Sequence, residues 1–138
     1  GGAGRSRGAR GGGGGPVGGG GKRAGRLGGT PVPGAGWWAD SRFGAAGCTG
    51  FGERSIQAQP ARGVVEAMAR GADVEAALAR GINDLAAVPD AAAGVMNIVG
   101  LAAGGRHGGI STEPGKPYAV WAEGGEPRLA PRLPPPVD

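Results

Sequence analysis

The residue types that most often act as nucleophile, general base or soft metal ligand, cysteine and histidine, each occur once, as Cys48 and His107. A single cysteine can form no internal disulfide and no cysteine-based zinc site. We expect Cys48 to be a small buried residue, because no base that could activate it is identifiable. His107 lies among glycines and is predicted to be an exposed turn residue, and one histidine alone makes neither a metal site nor a catalytic dyad. We therefore predict no metal site and no cofactor.

The other candidates lie in two glycine-rich segments, residues 25–36 and residues 48–53. Taken alone, Arg26 in the first segment is an ordinary loop arginine. Thr49-Gly50 in the second segment, also taken alone, is a turn. No phosphate-binding loop, zinc-protease helix motif or dinucleotide fingerprint has the flanking elements that its chemistry requires. Any function of these segments therefore depends on their spacing.

Glycine and charge are unevenly distributed along the chain. Residues 1–29 hold 16 of the 34 glycines and six basic residues without an acidic one, so the net charge of +4 belongs to this segment. Residues 1–24 have almost no large apolar side chain, and their composition predicts a disordered leader. Such a leader could bind RNA, but no aromatic residues are interleaved with its arginines, which argues against a nucleic-acid partner.

The sequence contains no targeting signal for a membrane. No apolar run approaches the ~18–20 residues that span a bilayer, and the basic N-terminus lacks the apolar stretch of a secretory signal. The single cysteine is compatible with a reducing compartment. We expect a cytoplasmic location.

Two helices are predicted in the middle of the chain, after a turn at Ala39-Asp40-Ser41 and a short strand from Phe43 to Cys48. The first runs from Glu53 to Arg70, with a kink or a restart at Pro60 and a stop at Gly71. The second is capped by Asp73 and ends before Pro89. Its apolar residues have the spacing of one helix face; they are Val74, Leu78, Ile82 and Leu85.

Strands are predicted again in the last third of the chain. An apolar run from Val95 to Ala102 is followed by a turn at residues 104–109 and a return at residues 110–112. A last strand covers Tyr118 to Trp121, and the proline-rich tail is expected to be extended. Two helices against an incomplete sheet would leave an apolar face bare. We therefore expect a missing N-terminal half or a separate partner chain, and a purely structural, non-catalytic interaction subunit is an alternative.

Residues 25–36, Gly-Arg-Leu-Gly-Gly-Thr-Pro-Val-Pro-Gly-Ala-Gly, resemble the Gly-Arg-Val-Gly-Asp-Ser-Pro-x-x-Gly-Ala-Gly signature of plant-type asparaginases and isoaspartyl peptidases. The aromatic pair and Ala39-Asp40 match the residues that come after that signature in the family. Residues 48–53, Cys-Thr-Gly-Phe-Gly-Glu, resemble the family's Thr-Gly-x-Gly-Glu element at the expected distance. The resemblance covers about residues 25–125, and residues 1–21 do not match.

The resemblance implies an α+β fold that is part of the αββα sandwich of N-terminal-nucleophile hydrolases. Members of the family cleave their own precursor chain. The new N-terminal threonine of the β subunit then attacks the side-chain amide of a β-aspartyl substrate, and its own α-amine acts as the base. The implied function is hydrolysis of β-aspartyl amide or isopeptide bonds, in asparagine or isoaspartyl peptides. The glycosylasparaginase branch shares the fold and is the enzymatic alternative.

Four residues receive roles from the resemblance. Arg26 would pair with the substrate α-carboxylate, which a guanidinium fork suits. Thr49 and Gly50 match the oxyanion-hole pair, one hydroxyl and one backbone N–H. Gly52 matches the residue whose carbonyl receives the substrate amine. The family's ammonium-binding aspartate is replaced by Gly29.

The nucleophile is the main departure from the family. Its threonine would coincide with Gly1 or precede it, and the family's Ser-Thr-Gly-Gly stretch would fall near residues 17–20, which have no hydroxyl. We expect the isolated chain to be an inactive fragment. Residues 25–126 would be a β-subunit-like region between the leader, residues 1–24, and the tail, residues 127–138. Its expected partners are a small β-aspartyl substrate, if the site is complete, and an α-subunit-like chain.

Overall fold

The structure is a computed structural model that describes residues 3–5, 10–13, 24–25, 28–89 and 94–134. In this part of the chain, helices occur together with antiparallel sheets, and the fold class is α+β, as predicted. The elements, in chain order, are β1 (Ala3–Arg5), β2 (Arg10–Gly13), β3 (Trp37–Asp40), β4 (Gly44–Thr49), α1 (Gly52–Ala58), α2 (Pro60–Ala69), α3 (Val74–Ala86), β5 (Asn97–Ala102), β6 (His107–Ser111), β7 (Tyr118–Val120) and β8 (Arg128–Ala130).

The centre of the fold is an antiparallel sheet of four strands in the order β3-β4-β5-β6. Cys48 in β4 pairs with Ile98 in β5, and Ile98 pairs with Ile110 in β6. Residues paired directly across an antiparallel sheet point to the same face. These three are buried in one apolar cluster with residues of α2 and α3, so the two helices cover this face of the sheet.

The helix boundaries follow the predicted signals. The helical structure is interrupted at Gln59, which takes the left-handed conformation with φ 51°, and α2 begins at Pro60. Proline at the first helical position lacks only an N–H that would have no partner in the helix. Gly71, with φ 94°, follows α2, and the Asp73 carboxylate accepts a hydrogen bond of 2.8 Å from the Ala76 N–H. The predicted restart, stop and cap are confirmed.

Helix α3 packs closely on the sheet because two glycines lie beneath it. The predicted apolar stripe is buried along its length; its residues are Val74, Leu78, Ile82 and Leu85. A methyl group on Gly108 would lie 2.8 Å from Leu78 Cδ1, and one on Gly100 would lie 3.2 Å from a Val74 methyl group. Glycine in these strands therefore provides room for the helix.

Two predicted turns are wrong in their extent. Ala39 and Asp40 end strand β3, and the turn covers residues 41–43 instead. The turn predicted for residues 104–109 is shorter, because residues 107–109 pair with β5 as part of β6. Glycine runs suggest a turn locally. Here long-range pairing under α3 overrides that preference.

Two further sheets have two strands each, β1-β2 and β7-β8. Strands β1 and β2 lie within residues 1–24, where composition predicts no regular structure; backbone pairing is possible there because it requires no side chains. Strand β8 lies in the proline-rich tail. Further along the tail, the Leu133 N–H donates a 2.8 Å hydrogen bond to the carbonyl of Gly109 in β6. None of the helices in the described ranges is long and apolar enough to cross a membrane.

Candidate functional site

The two glycine-rich segments that the sequence singled out meet in the structure. Gly29 is buried against Gly52, the first residue of α1. A methyl group on Gly52 would lie 2.5 Å from the Gly29 nitrogen, and one on Gly29 would lie 2.9 Å from the Gly52 carbonyl oxygen. Real methyl groups do not approach backbone atoms this closely. Only residues without a side chain permit this contact, which joins the first segment to the turn after β4.

Thr49 and Gly50 form the start of that turn. Thr49 is the last residue of β4 and is half-buried. Gly50 has φ 136°, and a methyl group there would overlap the Val95 carbonyl oxygen. The Phe51 N–H donates a hydrogen bond of 3.0 Å to Met96 Sδ, which ties the turn to the residue before β5. Within four residues, the chain thus presents the Thr49 hydroxyl, the Gly50 backbone and the start of α1 at Gly52.

The structure does not bring all predicted residues together. Arg26 lies outside the described residues, and its predicted role stays a prediction. The nearest described residues after it are Gly28, with φ 74°, and Gly29. Beside Gly29, where the family's aspartate would stand, the Gly52 backbone and the Ser55 Cβ leave no room for a side chain. An aspartate at position 29 is therefore incompatible with the close backbone contact between Gly29 and Gly52.

Cys48 behaves as predicted and is a small buried core residue. Its side chain lies against the helices, with Sγ 3.9 Å from the Ser55 hydroxyl. Burial raises the pKa of the Cys48 thiol to about 12, so the thiolate that a nucleophile requires does not form near neutral pH.

The structure contradicts the prediction that His107 is an exposed turn residue. His107 is the first residue of strand β6 and is half-buried. Its Nδ1 lies 2.9 Å from the Tyr118 hydroxyl of β7, and its Nε2 lies 3.5 Å from an Arg128 Nη of β8. The imidazole therefore links β6 to the β7-β8 hairpin, which sequence alone did not place against β6.

A polar row that sequence reasoning missed crosses the sheet at Thr49. Thr49 pairs with Asn97, and Asn97 pairs with Ser111, so the three side chains share the face opposite to α2 and α3. The Ser111 hydroxyl donates a 2.9 Å hydrogen bond to Asn97 Oδ1, and Arg132 Nη1 of the tail donates to the same oxygen. A polar residue at the start of an apolar run was the available signal for Asn97. Nothing local pointed to Arg132.

Several other ionisable side chains in the described part of the chain form ion pairs at the surface. At the end of β3, the hydrogen bond from the Arg42 guanidinium holds the pKa of Asp40 at about 2. Within the same ranges, no group of three His, Cys, Asp or Glu side chains could hold a metal ion.

The chain matches a known protein family. A family model described as asparaginase matches residues 9–126, which is more than half of the chain. The match begins at residue 9, inside the segment that was predicted from its composition to be a disordered leader. The expectation that residues 1–21 do not match is therefore wrong from residue 9 onward. It includes both glycine-rich segments and ends where the proline-rich tail was predicted to begin.

Proposed function

We propose, because this chain belongs to the asparaginase family, that residues 49–52 form one wall of a site for the hydrolysis of β-aspartyl amide or isopeptide bonds. The substrates would be asparagine or isoaspartyl peptides. The observation that carries the proposal is the contact of Gly29 with Gly52, which joins the two segments by which the chain resembles this family.

Hydrolysis of an amide places negative charge on the carbonyl oxygen in the tetrahedral intermediate. In the proposed site, the Thr49 hydroxyl and the Gly50 N–H donate hydrogen bonds to this oxygen. Donors that are held in place before the reaction need no reorganisation when the charge develops, and removing one typically costs about 10²–10³ in rate. Gly52 would receive the substrate amine through its carbonyl, and Arg26 would bind the α-carboxylate.

We infer that residues 1–138 do not supply the attacking group of the proposed site. The first threonine is Thr30, which belongs to the loop before β3. A hydroxyl becomes a competent nucleophile at neutral pH only with an adjacent base, which in this enzyme type is the amine of an N-terminal threonine. We propose that the 138-residue chain by itself binds substrate without cleaving it.

A second layer would complete the fold. Helices α2 and α3 cover one face of the central sheet, and the opposite face presents Val99 and Leu101, which are half-buried. An apolar sheet face is stable when another layer covers it. In our proposal this layer is the second sheet of an αββα sandwich; strands β1 and β2, which contact β3, β4 and β5, contribute to it, and an α-subunit-like chain would supply the rest.

Binding and turnover test separate parts of the proposal. The ¹⁵N-labelled chain is titrated with L-asparagine, and the amide resonances of residues 49–52 are expected to shift. Thr49→Val should weaken binding about 2- to 10-fold, the effect of one lost neutral hydrogen bond, whereas Ser41→Ala in the exposed turn should not. Absence of shifts in this turn would reject the site. Release of ammonia from L-asparagine, or of aspartate from a β-aspartyl dipeptide, would reject the proposed inactivity.

A further inference from the structure

Met96 contacts residues 49–52, here called the oxyanion turn, from the neighbouring strand. It lies directly before β5 and is fully buried in the core cluster. Its Sδ accepts the hydrogen bond of 3.0 Å from the Phe51 N–H. Most backbone N–H groups pair with carbonyl oxygens, and a thioether sulfur is only a weak acceptor. Packing in the core therefore does not by itself account for this contact.

The backbone of Met96 is held on both sides by Thr112, the residue after β6. The Met96 N–H donates a hydrogen bond of 2.9 Å to Thr112 Oγ1, and the Met96 carbonyl accepts one of 3.0 Å from the Thr112 N–H. Because both backbone polar groups of Met96 are bonded to the same residue, its Cα has little freedom to shift. The sulfur is thus presented to the oxyanion turn from a fixed point of the sheet.

Gly50 packs directly against Met96. A methyl group on Gly50 would lie 2.7 Å from Met96 Sδ and 3.1 Å from Met96 Cα, and the first of these distances is shorter than real methyl groups show. The φ of 136° at Gly50 also disfavours any residue with a side chain. Glycine at this position therefore allows the chain to pass this close to the sulfur.

Two anchors hold Gly50 in place, one on each side along the chain. Before it, Thr49 pairs with Asn97 in the central sheet. After it, Phe51 is bonded to Met96. Glycine has more backbone freedom than any other residue, so without the second anchor the Gly50 N–H would sample several orientations. With both anchors, the N–H has one direction before a ligand arrives, which an effective oxyanion hole requires.

We infer that Met96 is a positioning residue for the proposed oxyanion hole: its thioether binds the Phe51 N–H and thereby orients the Gly50 N–H toward the ligand carbonyl. The inference rests on the function proposed above. Its own basis is the juxtaposition of Met96 Sδ with the Phe51 N–H and with the Gly50 backbone. The sulfur atom, and not only the volume of the side chain, then contributes to recognition of a carbonyl.

The test removes this sulfur and compares two ligands by calorimetry with the full chain. L-Asparagine has a side-chain carbonyl, whereas L-norvaline has an apolar side chain of similar length. The wild-type chain should prefer L-asparagine. Met96→Leu has a similar volume but no acceptor. It should weaken L-asparagine binding about 2- to 10-fold, the effect of one lost neutral hydrogen bond, and leave L-norvaline binding unchanged.

Met68→Leu is the matched control, because Met68 is the other methionine of the chain and belongs to the same core cluster. Its methyl carbon lies near Gly44, at the opposite end of β4 from Thr49. The same chemical change at this distance from the oxyanion turn should leave the affinities for both ligands unchanged.

A replacement that keeps the side-chain shape separates positioning from packing. Norleucine has a methylene group in place of the methionine sulfur, and selenomethionine retains a heavier acceptor of the same type. In Met68→Leu, where Met96 is the methionine that remains, the norleucine form should lose the preference for L-asparagine as Met96→Leu does. The selenomethionine form should keep it. A residue that only packs would change the unfolding temperature and both affinities together.

The outcomes distinguish this inference from the proposed function. If the norleucine and selenomethionine forms bind L-asparagine equally, the inference is overturned and the proposed function stands. If the norleucine form unfolds at a lower temperature and loses affinity for both ligands to the same extent, Met96 is a packing residue and the inference is wrong. If the wild-type chain binds neither ligand, the proposed site itself is rejected.

Discussion

Gly52 and Gly29 lie backbone against backbone although they are 23 positions apart in the sequence. The contact fixes the loop before β3 on the first turn of α1, directly after the turn that carries Thr49. Both residues contribute by having no side chain, so the arrangement of the candidate site depends on a steric condition that substitutions can test.

Gly52→Ala should destabilise the chain. The new methyl group would lie 2.5 Å from the Gly29 nitrogen, and a backbone shift is the only relief. Overpacking of this type typically costs about 1–3 kcal/mol. Urea unfolding followed by circular dichroism measures the change.

Gly63→Ala is the matched control for Gly52→Ala. Gly63 lies inside α2, and a methyl group there meets only the end of the Asp84 side chain at 3.2 Å. Alanine is the better helix former by about 1 kcal/mol, so this variant should be as stable as wild type or more stable. Equal stability of both variants would show that Gly29 and Gly52 are not in close contact.

Gly29→Asp restores the residue type that the family has at this position, yet we expect it to harm the site. The aspartate Cβ would lie 2.9 Å from the Gly52 carbonyl oxygen and 3.3 Å from the Ser55 Cβ. We predict a loss of about 1–3 kcal/mol in the free energy of unfolding and no gain in L-asparagine affinity. Calorimetric titration together with thermal unfolding tests this. A more tightly binding, stable variant would mean that the loop readily adopts a wider arrangement.

The Cys48 thiol should make stability fall at alkaline pH. Its pKa is about 12 in the folded chain and near 9 in the unfolded chain, so between these values only the unfolded chain loses the proton. The free energy of unfolding then decreases as the pH rises, by at most about 1.4 kcal/mol per pH unit for this group. The pH slope of Cys48→Ala should be shallower from pH 9 upward. Identical slopes would show that burial does not hold the thiol in its neutral form.

Leu78→Ala should be the most damaging of the simple truncations in α3. Leu78 is fully buried and fills the space above Gly108, and removal of such a side chain typically costs about 2–5 kcal/mol. Leu129→Ala is the control, because Leu129 in β8 is 70% exposed and its truncation should change stability by less than about 0.5 kcal/mol. The midpoints of denaturant unfolding compare the two variants, and similar losses would contradict the described packing of α3 on the sheet.

Much of the local structure was predictable because its signals are local. Pro60 restarts the helix since it removes an N–H and fixes φ. Asp73 caps α3 through a carboxylate three residues before the N–H that it accepts from, and the spacing of the α3 stripe follows from 3.6 residues per turn. The two glycine-rich segments were also recognisable from their residues, and the family match includes both.

The sequence alone thus determined the fold class, the helices, the buried position of Cys48 and the family. Only the tertiary structure decided that residues 107–109 are strand, that Gly29 excludes a side chain, and that Arg132 reaches the strand position opposite Thr49. These features arise from contacts between distant segments, in which the space left by one element determines what the other can accommodate. A pattern of neighbouring residues contains no information about that space, because it is created only when the sheet, the helices and the tail pack together.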